Sequence, residues 1–409
     1  MQTVVLSLFV TAGALSAASV HTNFEGGALG PVQKVSDTHF RLAAKGERDR
    51  DGRNRQANWY YFRVDGAGRR DLNFDIVNLP GEYNYQPNRG AVTKDTPPVI
   101  SYDGQNWRHI ETFDYDPDEP KLILHVRPAG PRFWIAHTPP YTNETLGRLR
   151  DEIRGNPAFH EEVVGKTVGG RDLPLWTIGD LASNGPASNG KKTVWLMFRQ
   201  HSWESGSSWT GEGAVRMLLG GGAQSTSLRD GVIWKIFPLC DPDGVARGGV
   251  RFNENGYDLN RNWDVYDSVK MPEITAQRQA IKTWLDIGGH INLFLSLHNT
   301  ETSEYLQGPP EGAQNSHVAS IGQHFFLALT DHSTFAPTQP LSYANATTTA
   351  GKPGRMTVIQ GLYADYKILG FLMEQRVSKN PKLGHLPEIS DRLQFGRELV
   401  GAIAETVRP

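Results

Sequence analysis

The chain has 409 residues, of which 38% are hydrophobic and 21% charged, as is typical of globular proteins large enough for two or more domains. The formal net charge of -2 excludes a global basic field that would gather nucleic acid. The single cysteine, Cys240, excludes an intrachain disulfide and a cysteine-based zinc cluster. Because it follows a predicted strand, we expect a small buried thiol rather than a nucleophile.

Residues 1–18 resemble a secretory signal. An apolar core from Val4 to Leu15 precedes Ser16-Ala17-Ala18, and cleavage is expected near Ala18. The segment has no Lys or Arg, so an uncleaved anchor or an apolar strand is the alternative. No later run reaches the roughly 18 apolar residues that span a bilayer. We therefore expect a secreted or periplasmic protein with no stable membrane insertion after signal removal.

Residues 19–139 consist of short β-branched or aromatic runs separated by clusters of Gly, Pro and Asp. The runs lie at 59–64, 72–77, 99–102, 122–126 and 133–136. This pattern predicts an antiparallel β-sandwich domain. We expect its aromatic residues to form core and cross-strand pairs, with a sugar-binding face as the alternative. Pro139-Pro140 then marks the predicted domain boundary.

Strands and helices alternate through residues 140–409. Predicted strands lie at 173–178, 193–198, 231–239, 291–297 and 368–373. Predicted helices lie at 146–153, after the 193–198 strand, and at 273–285, 317–329 and 393–407. Alternation of this kind predicts an α/β catalytic domain with a mixed, mostly parallel central sheet flanked by helices.

A histidine and a glutamate follow the strand at 193–198, before the next helical pattern begins. His201 and Glu204 therefore lie where open α/β sheets bind ligands, at the carboxyl end of a strand. His298 ends the strand at 291–297 and is the natural third ligand. Two histidines and a glutamate leave one zinc position open for water, so we predict one Zn²⁺ per chain.

The His-x-x-Glu pattern is weak evidence by itself, because it occurs three times in the chain. The pairs are His201/Glu204, His298/Glu301 and His385/Glu388. At least two of them must be coincidental as ligand pairs. The position after an apolar strand distinguishes the first pair.

Further polar residues could complete a hydrolytic site. Glu374 follows an apolar strand that would raise its pKa, which suits a general base and acid. Arg251 could stabilise an oxyanion, while Asn260 and Arg261 could clamp a carboxylate. Asp258 could hold a zinc-binding histidine in its correct tautomer. Taken alone, these residues are better explained by a surface ion pair, for Glu374, and by a solvated loop, for the stretch from Arg251 to Asp264.

The motifs RQHSWE, DPDGV, RFNENGYDLNRNW, LSLHN and FLMEQ, in this order, resemble the carboxypeptidase A-type zinc metallocarboxypeptidase family. The preceding segments WYYFRV and FWIAHTPPYT are similar to the amino-terminal domain of its cytosolic-carboxypeptidase branch. The resemblance implies the following roles: zinc ligands His201, Glu204 and His298; oxyanion binding by Arg251; terminal-carboxylate binding by Asn260 and Arg261; orientation of His201 by Asp258; and general base and acid catalysis by Glu374.

Two features depart from the family pattern. Asp241 occupies the position of an Asn in a structural turn. The tyrosine that caps the substrate in this family has three candidates, Tyr343, Tyr363 and Tyr366, and none is preferred. Arg355 resembles a glycine-flanked arginine of the cytosolic branch and would favour a terminal Glu or Asp, unless it is simply exposed in its Gly/Pro loop.

We therefore predict a zinc metallocarboxypeptidase that hydrolyses the C-terminal peptide bond of peptides or proteins. One alternative is a zinc amidohydrolase acting on small N-acyl amino acids with the same residues. The other is a catalytically silent peptide-binding module, which the complete set of ligands, base and arginines disfavours. The predicted partner is a peptide or protein C-terminus, and no nucleic acid.

Overall fold

β-Strands dominate the first third of the chain. The computed structural model of the protein describes residues 17–83, 85–179, 191–310, 316–345 and 353–408. The predicted signal segment, apart from Ala17 and Ala18, lies outside this range, as does the loop at 183–190 that the sequence predicts between the strands at 173–178 and 193–198. The strands described up to residue 136 are β1 (Ser19–His21), β2 (Val32–Lys34), β3 (His39–Ala43), β4 (Glu47–Arg48), β5 (Arg55–Gln56), β6 (Tyr61–Asp65), β7 (Leu72–Val77), β8 (Gly81–Tyr83), β9 (Gln86–Asn88), β10 (Val99–Ser101), β11 (Arg108–His109), β12 (Phe113–Asp116), β13 (Lys121–Val126) and β14 (Arg132–Ala136).

Two five-stranded sheets share one apolar core in this part. Their strand orders are β1-β6-β14-β10-β11 and β12-β13-β7-β3-β2. Inward-facing residues alternate along β7, where Leu72, Phe74 and Ile76 are fully buried. The Phe74 ring meets Phe133 of the other sheet with 6.2 Å between ring centroids. The aromatic side chains named here therefore belong to the core of a sandwich.

The sandwich differs from the predicted antiparallel arrangement in one strand pair. β3 and β7 run parallel, while the other pairs of the two sheets are antiparallel. The chain between β3 and β7 includes three further strands, and a connection of that length permits parallel pairing. Strands β4, β5, β8 and β9, which alternate along the chain with the sandwich strands, form a third sheet of that order. Glu47 is the first residue of β4.

The rest of the described chain alternates helices and strands. The helices are α1 (Asn143–Ile153), α2 (Ser205–Leu218), α3 (Ala223–Gly231), α4 (Pro242–Arg247), α5 (Pro272–Asp286), α6 (Ser316–His332), α7 (Val358–Tyr366) and α8 (Ile389–Val407). The strands are β15 (Phe159–Lys166), β16 (Asp172–Ile178), β17 (Lys192–Phe198), β18 (Val232–Phe237), β19 (Leu293–Thr300), β20 (Tyr305–Gly308), β21 (Ser342–Tyr343) and β22 (Gly370–Arg376).

These eight strands form a single mixed sheet of order β15-β16-β18-β17-β19-β22-β20-β21. The central strands β18, β17, β19 and β22 are parallel, and antiparallel pairs flank them. One apolar cluster joins the sheet to α2, α6 and α8, and another joins it to α5 and α7. Since helices cover both faces of a mostly parallel centre, the predicted fold class is confirmed.

Helices α2 and α8 approach each other closely through two glycines. A Cβ atom added to Gly213 would lie 2.1 Å from the carbonyl oxygen of Leu393, and one added to Gly396 would lie 2.1 Å from that of Thr210. Gly213 of α2 and Gly396 of α8 thus permit close backbone contact between the two helices. This contact fixes α2, whose first turn follows the predicted zinc ligand Glu204.

None of the described helices is both long and apolar enough to cross a bilayer.

Candidate metal and substrate site

A tight turn carries the first two predicted metal ligands. β17 ends at Phe198, and Arg199 adopts a left-handed backbone conformation with φ of 62°. Its buried side chain donates from Nε to the carbonyl oxygen of Ser202 at 2.9 Å and from a terminal nitrogen to Ser208 Oγ at 3.1 Å. These bonds hold a conformation that a non-glycine residue seldom adopts. The turn thereby presents His201 and then Glu204, the N-cap of α2.

His201, Glu204 and His298, here named the ligand triad, converge at one point. Nδ1 of His201 lies 2.7 Å from Glu204 Oε1, and Nδ1 of His298 lies 2.9 Å from Glu204 Oε2. All three residues are buried, and one potential ligand atom from each lies within 4.8 Å of the others. Among the described residues, this is the group of three or more His, Cys, Asp or Glu side chains arranged to hold a metal.

The outer nitrogens of both histidines have hydrogen-bond partners that suit metal binding. His201 Nε2 lies 3.0 Å from Asp258 Oδ1. Because this carboxylate accepts the Nε2 proton, Nδ1 keeps a free lone pair facing Glu204. Burial opposes ionisation of Asp258, but the charges of Arg251 and His201 outweigh it and hold its pKa well below the usual value. Asp258 thus lies where the sequence interpretation expected it.

The partners of His298 were not identified from the sequence. Its Nε2 lies 2.9 Å from Ser296 Oγ and 3.1 Å from Gln200 Oε1. The Gln200 amide nitrogen donates to the carbonyl oxygen of Leu259 at 2.8 Å, which directs Oε1 toward the histidine. Gln200 directly precedes His201 in the chain, but nothing in the sequence relates it to the distant His298. The donor types, burial and outer partners of the ligand triad fit a zinc ion.

Glu374 lies next to His298 across the sheet. The two residues are register partners on β19 and β22, which run parallel. The sequence predicted both residues at the ends of their strands. Instead both lie inside the strands, because the pairing continues to Thr300 and Arg376. Glu374 Oε2 is buried without a hydrogen-bond partner among the described residues. Burial raises the pKa of Glu374 well above its usual value, and the negative charge of Glu204 adds to this shift.

A cleft of about 380 Å³ is linked to the ligand triad through Asp258, which lines it and lies within hydrogen-bond distance of His201. Its lining comes from both parts of the chain, including Arg50, Arg53 and Tyr83 of the N-terminal part. Arg251, Asp258, Arg261 and Arg355 line it from the C-terminal part. The sequence-predicted arginines are therefore brought together in one cleft.

The contacts of these residues differ. Arg251 Nε donates to Asp258 Oδ2 at 2.8 Å, which links it through Asp258 to His201. Arg261 donates to the carbonyl oxygen of Asn260 at 2.7 Å, and its Nε is buried without a partner among the described residues. Asn260 is buried, and its Oδ1 accepts a bond from the backbone N–H of Val358 at 3.0 Å. Its side chain therefore also anchors the start of α7.

The tyrosines near the cleft are not the three suggested from the sequence. Tyr83 and Tyr257 line it, whereas Tyr343 packs beside Gly308 and the ring of Tyr363 lies near Lys367. Tyr366 has its ring near Arg278. Tyr305 is the cross-strand partner of Glu374 on the antiparallel strand β20. Pairing in the sheet places it there, and its sequence context carries no such signal.

The other two His-x-x-Glu pairs do not act as ligand pairs: His298 belongs to the ligand triad, but its partner Glu301 does not, and neither His385 nor Glu388 does. Glu301 accepts a hydrogen bond from the side chain of Asn58, and His385 is exposed beside Asp391. Cys240 is fully buried, and burial raises its pKa, so its thiol stays protonated at neutral pH. The expected buried role of this cysteine agrees with its position.

Two family models match the chain. Residues 20–137 match the cytosolic carboxypeptidase N-terminal domain, and residues 152–317 match the zinc carboxypeptidase domain. Glu374 and Arg355 lie beyond the second match. The chain is also similar to curated proteins. An uncharacterised protein of Zymomonas mobilis is 27% identical over 65% of this chain and 65% of that one. Cytosolic carboxypeptidase 6 of Caenorhabditis elegans is 28% identical over 63% of this chain and 57% of that one.

The match thus spans less than two thirds of either relative. Among solved structures, a metallo-carboxypeptidase from Burkholderia cenocepacia is similar with a TM-score of 0.78 at 23% identity, covering 95% of this chain and 99% of that one. This similarity concerns the fold. The resemblance drawn from the sequence motifs is confirmed, as is, at the level of the family, the prediction of a peptidase. Residues 152–317 therefore carry a zinc carboxypeptidase domain, preceded at residues 20–137 by an N-terminal domain of the cytosolic carboxypeptidase type.

Proposed function

We propose that the protein is a zinc-dependent metallocarboxypeptidase that hydrolyses the C-terminal peptide bond of peptides or proteins. The observation that carries this proposal is the convergence of the ligand triad beside Glu374, linked through Asp258 to a cleft that contains Arg251 and Arg261. A metal site alone would suit many reactions. Cationic side chains next to it favour a substrate that carries a free carboxylate.

Zinc held by the ligand triad would supply a Lewis acid and lower the pKa of a water molecule to about 7. Glu374 takes the proton of the attacking water and then delivers it to the nitrogen of the leaving amine. Its raised pKa suits a group that must both accept and donate a proton near neutral pH.

The arginines have separate roles in this proposal. Arg251, fixed through Nε by Asp258, donates to the carbonyl oxygen as it gains negative charge. Arg261 binds the terminal carboxylate of the substrate through its guanidinium group, assisted by Asn260. Arg355 lines the same cleft and favours a terminal Glu or Asp. Recognition of the free carboxylate restricts cleavage to chain ends.

The experiment that tests this function is release of the C-terminal residue from N-blocked peptides ending in Glu, Lys, Phe or Gly. We expect release that a chelator abolishes and that added zinc restores. A preference for Glu would support the role of Arg355, and indifference to the terminal residue would contradict it. Cleavage of N-acetyl amino acids without cleavage of peptides would favour an amidohydrolase. Bound zinc without any turnover would indicate a binding module.

We also propose that the protein is exported, although one of the two named relatives is called a cytosolic carboxypeptidase. The support is the apolar segment at residues 1–18, of which residues 1–16 are outside the described range. Fractionation of cells expressing the full chain, followed by N-terminal sequencing, tests this. A mature protein beginning near residue 19 in the envelope or medium is expected, and an intact N-terminus in the cytosol would contradict export.

A further inference from the structure

A carboxylate from the N-terminal part of the chain lies under the backbone of Arg251. Glu47 belongs to β4, and its side chain is 12% exposed. Glu47 Oε2 accepts hydrogen bonds from three consecutive backbone N–H groups: Val250 at 2.9 Å, Arg251 at 2.5 Å and Phe252 at 2.9 Å. Its other oxygen pairs with the Arg247 side chain.

Three successive N–H groups that point at one oxygen form a concave anion-binding arrangement. Here the anion is a side chain of the same protein, and the central residue of the arrangement is Arg251. Val250 and Phe252 on either side are almost fully buried, at 2% and 3% exposure. Without Glu47, their buried N–H groups would lose this acceptor, which is costly in a dry environment.

The side chain of Arg251 is fixed at a second point. Its Nε donates to Asp258 at 2.8 Å, so backbone and side chain are each held by one carboxylate. With both points fixed, few orientations remain for the terminal guanidinium nitrogens. A donor that stabilises a developing oxyanion must be placed to within a fraction of an ångström before reaction.

We propose that Glu47 is a positioning residue for Arg251, through which the N-terminal domain completes the catalytic apparatus. This inference rests on the proposed function, because it assumes that Arg251 acts on the substrate carbonyl. It gives the N-terminal domain a direct part in turnover. Removal of the carboxylate leaves the ligand triad and Glu374 in place but releases the backbone that carries the oxyanion donor.

The test compares Glu47→Gln and Glu47→Ala with a matched control, Glu25→Gln. Glu25 also lies in the N-terminal part and also binds a backbone N–H of the catalytic part, that of Asn143 at 2.9 Å. That contact is at the start of α1 and not at Arg251. Activity is expressed per zinc-loaded chain, so that loss of folded protein does not count as loss of turnover.

We expect Glu47→Ala to lower kcat by about a hundredfold and Glu47→Gln, which keeps one acceptor oxygen, by about tenfold, with KM changed less than about twofold. Glu25→Gln should change kcat less than about twofold. If Glu47→Ala does not fold, Glu47→Gln carries the test alone. Full kcat per zinc-loaded chain in Glu47→Gln would overturn the proposal.

A double-mutant cycle with Arg251→Ala separates positioning from an independent effect. If Glu47 acts through Arg251, Glu47→Gln should lower kcat less than about twofold when Arg251 is already absent. Additive losses would overturn the inference and leave the proposed function intact. If wild-type protein releases no C-terminal residue, the proposed function falls, and the positioning role falls with it.

Discussion

Asp241 is a buried carboxyl group with half of its hydrogen-bonding capacity unused. It is the N-cap of α4, where Oδ1 accepts the backbone N–H of Gly244 at 2.9 Å. Oδ2 is buried without a partner among the described residues, and the residue has no exposed surface. Burial raises its pKa to about 8. The side chain is therefore mainly protonated at neutral pH and resembles the Asn that related sequences are expected to have there.

The substitution Asp241→Asn should stabilise the protein, and more so as pH rises. The folded-state pKa of about 8 lies above the usual value of 3.8, so the folded state binds the Asp241 proton more tightly than the unfolded state. This contribution to the stability of the wild type is complete below pH 4 and is lost as the pH rises to 8. Asn has nearly the same shape and no charge to lose. Each pH unit between pH 5 and pH 8 destabilises the wild type by at most about 1.4 kcal/mol. The difference in unfolding free energy between Asp241→Asn and wild type should therefore grow by at most about 4 kcal/mol over this range.

The assay is the difference in unfolding free energy between Asp241→Asn and wild type, measured by denaturant at pH 5 and at pH 8. A control is Asp243→Asn, because Asp243 accepts from the backbone N–H of Gly169 and from Arg171, each at 2.6 Å. Loss of these charge-assisted bonds should destabilise the control at both pH values. An Asp241→Asn advantage that is the same at pH 5 and pH 8, or that reverses at pH 8, would refute the reasoning.

Other predictions concern the metal and substrate site. Glu374→Gln should keep bound zinc, measured by metal analysis, and lose kcat by at least about a hundredfold; undiminished turnover would contradict its role as general base. Arg261→Ala should raise KM for free-carboxylate peptides, with little effect on amidated ones; equal loss on both would count against carboxylate binding. Gln200→Ala should weaken zinc binding by about 10- to 100-fold in a chelator competition, because His298 loses an orienting acceptor at 3.1 Å; unchanged affinity would argue that Ser296 is sufficient.

The fold class could be predicted from the sequence because its signals are local. The apolar run ending at Phe198 forms β17, and the run at 72–77 is a strand with the predicted bounds. The three ligands could also be proposed, since each lies at or near the end of a parallel strand at one edge of the sheet. Hydrophobic periodicity and strand direction are enough to bring such residues together.

The ends of the strands were less well predicted. Both β19 and β22 continue beyond their apolar runs, through His298 to Thr300 and through Glu374 to Arg376. Backbone hydrogen bonds to the neighbouring strands stabilise these polar ends of β19 and β22. The pattern of apolar residues within one strand does not predict them. The parallel pairing of β3 with β7 was missed for a related reason, because partner choice depends on the whole sandwich.

What the sequence by itself determined was a set of candidate metal-binding and catalytic residues and the order in which the strands present them. The tertiary structure alone decided which residues lie next to them: Gln200 beside His298, Tyr305 opposite Glu374 in the sheet, and Glu47 against the backbone of Arg251. Glu47 and Arg251 are 204 residues apart in the chain. Local patterns encode helices and strands, but a hydrogen bond between such distant groups exists only once the two domains have packed together.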